Sequence, residues 1–387
     1  MTEMIYGSNS AQSREPFFQK WFWTVDRWTF ACILLLLILG VYFVMVASLP
    51  VAEEKGLDPF YFAKRQAAFA TMSFFIILSL SMVPMVRIRR IAIIVFFCSL
   101  VAVCLLPIFG ANFGTAVRWY SIGPINFQPT ELLKPSFVIF AAFWLAGSHE
   151  PKGPPGVAIS FCALIFIVFF LAVQPDYGQA FLTFITWCLM YAVAGAPVWI
   201  SLTFLSCAIF ALFFVYFTSD YVAKRIDNYL LESIEPTSQL GFARTAISEG
   251  GWFGKGVGSG QIKHSLSDAH NDYIIAIVAE ENGLVAVILI ICLFLAIGIR
   301  TMLRLTSEQN LFFRLAGFGL CTLFLLQAII NLGVPVRAVP EKGITLPLIS
   351  YGGSSLVSVG FLLGMLLAIT RTRPQGQMKN ILGSGTL

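Results

Sequence analysis

Charge is scarce in this chain: Asp, Glu, Lys and Arg together make up 12% of it, and histidine occurs only three times. Hydrophobic residues make up 58%, and the mean hydropathy is +0.82. A soluble domain cannot hide that much apolar side chain, so the class is polytopic α-helical membrane protein. Alternating segments of about ten residues are missing, which excludes a strand barrel. There is no CxxC metal pattern and no disulfide framework. All eight cysteines (Cys32, Cys98, Cys104, Cys162, Cys188, Cys207, Cys292 and Cys321) fall inside apolar runs, as small buried hydrophobes. A cleavable signal pattern is absent, so the first apolar run reads as its own targeting element. The glycine-rich GWFGKGVGSG lacks the spacing of a phosphate loop and has no strand before it. Its glycines read as a flexible turn or as a backbone surface approaching a ligand. No nucleic-acid partner is expected.

What the chain does have is about ten apolar runs, each of the roughly 17–25 residues that a ~30 Å hydrocarbon core requires. They cover residues 29–50, 66–85, 91–109, 130–147, 156–173, 178–194, 197–218, 272–299, 312–336 and 348–370. The predicted fold is therefore all-α: a ten-helix membrane domain over residues 29–370 with a long extracytoplasmic loop, 219–271, between helices 7 and 8. Residues 1–28 form a cytoplasmic tail and an aromatic, basic interfacial segment, and 371–387 a second cytoplasmic tail. Arg87, Arg89 and Arg90 in VRIRR are the strongest positive-inside marker and place both termini in the cytoplasm.

Unusual chemistry collects on the opposite, outer side. One loop there reads GANFGTAVRWYSIGPINFQPTELLKPS, with Arg118 and Trp119 beside each other. Pro129 can start a helix and Gln128 or Thr130 can cap it. Glu131 and Lys134 then stand i and i+3 on one face, either as a structural ion pair or as an anion and a cation lining a cavity. The turn QPDYGQ offers Asp176 as a cap for the next helix. The long loop carries Gln239, Arg244 and Glu249 on a helical stretch, then His264–Gly283, with Asp268, His270 and Asp272 ahead of an apolar helix that still holds Glu280 and Glu281. Arg337 and Lys342 precede ITLPLISYGGSS, whose Pro347 and Gly352-Gly353 break a helix start and expose Ser350 and Ser354.

Cations on the outer face oppose the positive-inside trend, and an anionic headgroup such as a pyrophosphate supplies a reason for them. A carboxylate among them, within reach of a hydroxyl, can act as general base in group transfer. Asp272 fits that role, and it also fits a helix N-cap. Two functional classes suit the pattern: an enzyme acting on a lipid-linked anionic substrate, or a transporter or flippase moving one. The first, second, third, fifth, sixth and seventh runs contain no Asp, Glu, Lys or Arg, and the charges gather at one mouth. That favours the enzyme over a transporter, which needs charge deep in several helices.

These same stretches resemble the SEDS family (shape, elongation, division and sporulation), whose members polymerise the glycan strands of bacterial peptidoglycan. RWYSIGPINFQPTELLKPS, QPDYGQA, FGKGVGSG with DAHNDYIIAIVAEENG, and PEKGITLPLISYGGSS match the family's elements in order. The KG-x-TLPLISYGGSS ending, with TVDRW and LDPFYFAKRQ near the N-terminus, is more similar to the cell-division branch than to the elongation branch. The resemblance implies a glycosyltransferase using lipid II to extend a nascent glycan strand at the septum. It also implies a class B penicillin-binding protein transpeptidase and other divisome membrane proteins as partners. By position, the family's essential aspartate falls on Asp272, and its Glu and Lys on Glu131 and Lys134. Asp268 and His270 become neighbours. Asn271, Tyr273, Asn282, Val117 and Tyr120 depart from the family pattern. Candidate substrate contacts are Arg118, Trp119, Gln128, Gln239 and Arg244 in the first two loops. His270, Arg337, Lys342, Ser350 and Ser354 extend the set. A divalent cation (Mg or Mn) could assist as Lewis acid, although no ligand cluster specifies one. A lipid II flippase and a non-catalytic division scaffold are the alternatives.

Overall fold

The computed structural model describes residues 17–113, 116–123, 125–195, 238–266, 269–340 and 343–372, with scattered positions between 197 and 227. Seven of its helices are long and apolar enough to cross a membrane: α2 (Arg27–Glu54), α3 (Tyr61–Met82), α4 (Met85–Phe109), α5 (Pro129–Gly147), α6 (Gly156–Val173), α9 (Ile274–Thr306) and α10 (Leu311–Gly333). Two shorter apolar helices, α7 (Tyr177–Val193) and α11 (Gly353–Ile369), coincide with the predicted sixth and tenth spans. The predicted seventh span and the first part of the long loop lie mostly outside the described residues. Two further helices flank this set, α1 (Phe17–Thr24) at the start and α8 (Gln239–Gly250) before α9.

Helices α5, α10 and the shorter α11, most of whose residues are buried, form the centre. In α5 and α10, 72% of the most apolar window is buried, against 28% in α3, α4 and α6. The centre therefore packs mostly against protein while the outer helices keep an apolar face outward, as a bilayer permits. The GxxxG pair of α11 is a close-packing site against α3. A Cβ on Gly360 would meet Ser73 Oγ at 2.3 Å, and one on Gly364 would meet Leu80 Cβ at 2.8 Å.

One end of the bundle is tied by charge. Asp26, only 1% exposed, takes both Arg300 Nε contacts at 2.7 and 2.8 Å, and Arg304 Nε lies 3.1 Å away. Arg304 also donates to the Thr370 carbonyl at 2.7 Å, and the Trp21 indole of α1 donates to Ser81 Oγ at 2.9 Å. The starts of α2 and the ends of α3, α9 and α11 are thus joined. At the other end, the loop before α5 folds into a small antiparallel sheet in the order β1 (Ala111–Phe113), β2 (Ala116–Ile122), β3 (Ile125–Phe127). Tyr120 pairs with Phe127 in it, and its hydroxyl donates to the Ala102 carbonyl of α4 at 2.7 Å. The sheet was not expected from the sequence; the rest of the described fold is helical.

Helix α9 is two helices in one. Gly283 has φ 77° and ψ 177°, a left-handed break that a β-carbon would oppose. The break is paired rather than empty. The Leu284 and Val285 N–H groups donate to the carbonyls of Gly251 and Trp252 at 3.0 and 3.2 Å, and the Lys255 and Gly256 N–H groups donate to the carbonyls of Glu280 and Glu281 at 2.8 and 3.1 Å. The glycine-rich stretch thus brings its backbone against α9. Glu280 and Glu281 complete the clasp. Glu280 Oε1 accepts from the Gln261 and Ile262 N–H groups, and Glu281 accepts from Gly258 N–H and from Lys263 Nζ at 2.7 Å.

Candidate active site

Asp272 lies in a turn that ends where α9 begins at Ile274. Tyr273, not Asp272, takes the position before the helix, and its side chain makes no capping bond. The helix starts late because three successive carbonyls of the turn are claimed from elsewhere. His270 O accepts from the Tyr351 N–H at 2.9 Å, Asn271 O from the Ser350 hydroxyl at 2.6 Å, and Asp272 O from Asn331 Nδ2 at 3.2 Å. Asn331, near the end of α10, also donates to Ile344 O at 2.8 Å. Ser350 Oγ accepts from the Leu346 N–H at 2.9 Å, and Gln66 of α3 donates to Ser350 O at 3.3 Å. These bonds account for backbone groups that neither helix satisfies.

The bracket fixes the turn's backbone and leaves the Asp272 side chain half-buried beside Gly343, where a Cβ would come within 3.6 Å of Asp272 Oδ2. His270 is only 5% exposed. Its ring packs against Phe62 and Tyr351, with centroids 4.9 and 5.3 Å away. The ring thus lies among aromatic side chains beneath the turn.

Glu131 and Lys134 form the expected pair, and the pair is sealed. Both are at most 4% exposed. Lys134 Nζ lies 3.1 Å from each Glu131 oxygen and 2.6 Å from Gln179 Oε1, while Gln179 Nε2 donates to Glu131 Oε1 at 2.9 Å. All three ends of the triangle are thus hydrogen-bonded, the condition for keeping a buried ion pair. Pro129 opens α5 as expected, but Gln128, in the position before the helix, turns its amide to Asp176 Oδ2 at 3.5 Å instead of capping. Burial pushes the Asp176 carboxyl above the usual range, against the pull of Arg118 and Lys134. Arg118 itself is committed: its guanidinium donates to the carbonyls of Gln174 and Pro175 at 3.0 and 2.6 Å.

Helix α11 connects the two assemblies. Its approach carries Ser350, its first turn carries the buried Ser354, and one turn later Ser358 Oγ donates to the Glu131 carbonyl at 2.5 Å. Trp119 is held in the sheet opposite Ala111. Arg337 is half-buried in the turn after α10, with φ 58°. Gln239 opens α8, and Arg244 is exposed further along it. Lys342 and Asp268 lie outside the described residues. Among the described residues, no group of three or more His, Cys, Asp or Glu gathers to hold a metal. Reading the sequence had missed Asn331, Gln179 and Ser358. Gln179 stands in the QPDYGQA motif and could have been found there; the other two bonds join positions far apart in the chain.

The model of the cell cycle protein family of FtsW, RodA and SpoVE matches residues 26–375. This chain belongs to that family. It is 36% identical to the "Probable peptidoglycan glycosyltransferase FtsW" of Caulobacter vibrioides over 92% of this chain and 91% of the relative. The Haemophilus ducreyi protein of the same name is 32% identical over 89% of each. The fold is shared with a chain from a peptidoglycan synthase complex that coordinates polymerization and crosslinking. There the TM-score is 0.74 at 24% identity, covering 89% of this chain and 97% of the other. It is shared also with the rod shape determining protein RodA of Thermus thermophilus, at TM-score 0.65 and 23% identity, covering 89% and 96%. Within the FtsW/RodA/SpoVE family, the relatives named FtsW agree with the cell-division branch that the C-terminal motif resembles.

Proposed function

We propose that this multi-pass membrane protein is a peptidoglycan glycosyltransferase that polymerises lipid II into glycan strands at the outer face of the cytoplasmic membrane during septal division, with Asp272 as general base. The observation that carries the reading is the triple capture of the carbonyls of residues 270–272, which fixes the turn and leaves one half-buried carboxylate beside it. A base must be held in place yet reach its substrate. The names of the FtsW relatives support the activity.

In the reaction, the Asp272 carboxylate takes the proton of the acceptor sugar hydroxyl. That oxygen bonds to the anomeric carbon of the growing strand. The anomeric bond to undecaprenyl pyrophosphate breaks, and the pyrophosphate leaves with the electron pair. Arg337, with Lys342, is the candidate to meet its charge. Glu131, Lys134 and Arg118, whose donors and acceptors are engaged within the protein, act as positioning residues. A divalent cation, when bound, would add Lewis-acid stabilisation of the leaving pyrophosphate. A class B penicillin-binding protein crosslinks the product, both termini are cytoplasmic, and the other divisome membrane proteins are further partners.

The test is glycan synthesis from lipid II by the purified full chain, with and without its transpeptidase partner, comparing wild type with Asp272→Ala. A loss of at least about 100-fold is expected. Long glycan made by the variant at the normal rate would sink the general-base reading. Lipid translocation into liposomes without polymer would replace the enzyme with a flippase.

A further inference from the structure

Two aromatic side chains in the glycine-rich turn have no place in the chemistry above. Trp252 is 63% exposed and Phe253 84%, with Val257 at 57% close by. They are not on a loose loop: their backbone is hydrogen-bonded to α9 on both sides of the break at Gly283. That break marks a change of surroundings. Residues 274–281 are buried on all sides, whereas beyond Gly283 the helix exposes Leu284 (37%), Val285 (48%), Ile288 (43%) and Leu289 (48%). From Gly283 to Arg300, which is ion-paired to Asp26, the helix rises about 25 Å at 1.5 Å per residue. That is close to the ~30 Å of a hydrocarbon core. Gly283 therefore stands at the hydrocarbon boundary nearest Asp272, and the two aromatics stand level with it, continuous with the lipid-facing stripe of α9. The one cation of the turn, Lys255, is paired to Glu249, so the tip presents apolar rings rather than net charge.

We propose that residues 251–257 are seated in the bilayer, with Trp252 and Phe253 at the level where headgroups meet acyl chains. Tryptophan is enriched at that depth because its ring is apolar and its N–H is polar. The occupant is lipid, because the rings continue a surface that lipid already covers. The Glu280–Glu281 clasp ties this turn to the helix that follows the Asp272 turn. The contact thus fixes the height at which Asp272 stands over the membrane.

The test uses the full chain in phosphatidylethanolamine–phosphatidylglycerol vesicles. Acyl chains brominated near the carbonyl end or near the middle quench tryptophan according to depth. The signal of Trp252 is the difference between wild type and Trp252→Phe, which keeps the ring bulk and the carbonyl bonded to Val285. Phe253→Trp provides a second reporter without removing one. The Trp252 signal and the added Phe253→Trp signal should each fall about twofold with shallow bromine, and less with deep bromine. Quenching by aqueous iodide with none by either brominated lipid would overturn the proposal, since the turn would then stand in water. Protection from all three quenchers would overturn it too, by showing that protein covers the turn.

Discussion

Glu131 and Asp272 are carboxylates at the same end of the bundle, near the starts of α5 and α9, and the fold treats them oppositely. Glu131 has its charge answered by Lys134, its Oε1 also by Gln179 and its carbonyl by Ser358, and almost none of it reaches the surface. Asp272 has its backbone answered through Asn331, while its side chain stays half-buried beside Gly343. One acid is sealed inside the architecture; the other is held by its backbone and keeps its side chain partly exposed. The difference teaches that a charged residue in a membrane protein is read by where its bonds go, since both positions cost free energy and both invite a functional label.

The largest effect that separates them is on rate. Asp272→Asn keeps size and backbone and removes the base, so lipid II polymerisation should fall between about 10²- and 10⁴-fold. The unfolding free energy in detergent should change by no more than surface substitutions change it, about 0.5 kcal/mol. A matching loss of stability would erase the contrast with Glu131.

Next comes Lys134→Met, which leaves Glu131 charged, buried and unpaired. Breaking such a pair costs about 3–5 kcal/mol. The double variant with Glu131→Gln should recover much of it, because a neutral amide can still bond to Gln179. Thermal unfolding of the single and double variants measures both. If Lys134→Met unfolds at the wild-type temperature, the pair does not hold α5 to α7.

Asn331→Ala is smaller and tests the bracket. It takes one donor from two carbonyls, Asp272 O and Ile344 O. Misplacing a catalytic group by a fraction of an ångström costs about tenfold in kcat by the scale of positional effects. KM should change little, because no charge is lost. Asn331→Asp, which loses the donor and buries a carboxylate against two carbonyl oxygens, should cost more than alanine.

The contrast between the two acids was half legible in the sequence. The i,i+3 spacing of Glu131 and Lys134 and the helix start at Pro129 are local, and the structure has both. The apolar runs are local too, which is why the helices fall where hydropathy puts them. What decides Asp272 is not local. Its carbonyl bonds to a residue 59 positions away and that of Asn271 to one 79 away, and these captures delay the helix so that a reading as N-cap fails. Gly283 misleads in the same way. A single glycine in an apolar helix pattern is usually tolerated, and its break appears only once residues 251–256 pair with it. The sheet of β1 to β3 has strands of three, seven and three residues, too short for alternation to show.

A third acid, Asp176, stands between the two regimes and gives the subtlest prediction. It is buried at 5% exposure beside Gln128, and burial raises its affinity for a proton while Arg118 and Lys134 oppose that rise. With its folded pKa above the unfolded one, the native state binds more protons than the unfolded state wherever pH lies between the two values. Stability must then fall as pH rises through that window, which starts near the ordinary 3.8 of an aspartate. Asp176→Asn keeps the contact to Gln128 and removes the titration. Its thermal midpoint should therefore stay flatter than that of wild type between about pH 4 and pH 8. The two curves should be closest at the acid end, where Asp176 is protonated and resembles the amide. If wild type instead gains on the variant as pH rises, Asp176 is stabilised as a carboxylate by Arg118 and Lys134. It would then belong with Glu131 among the acids whose charge the fold uses.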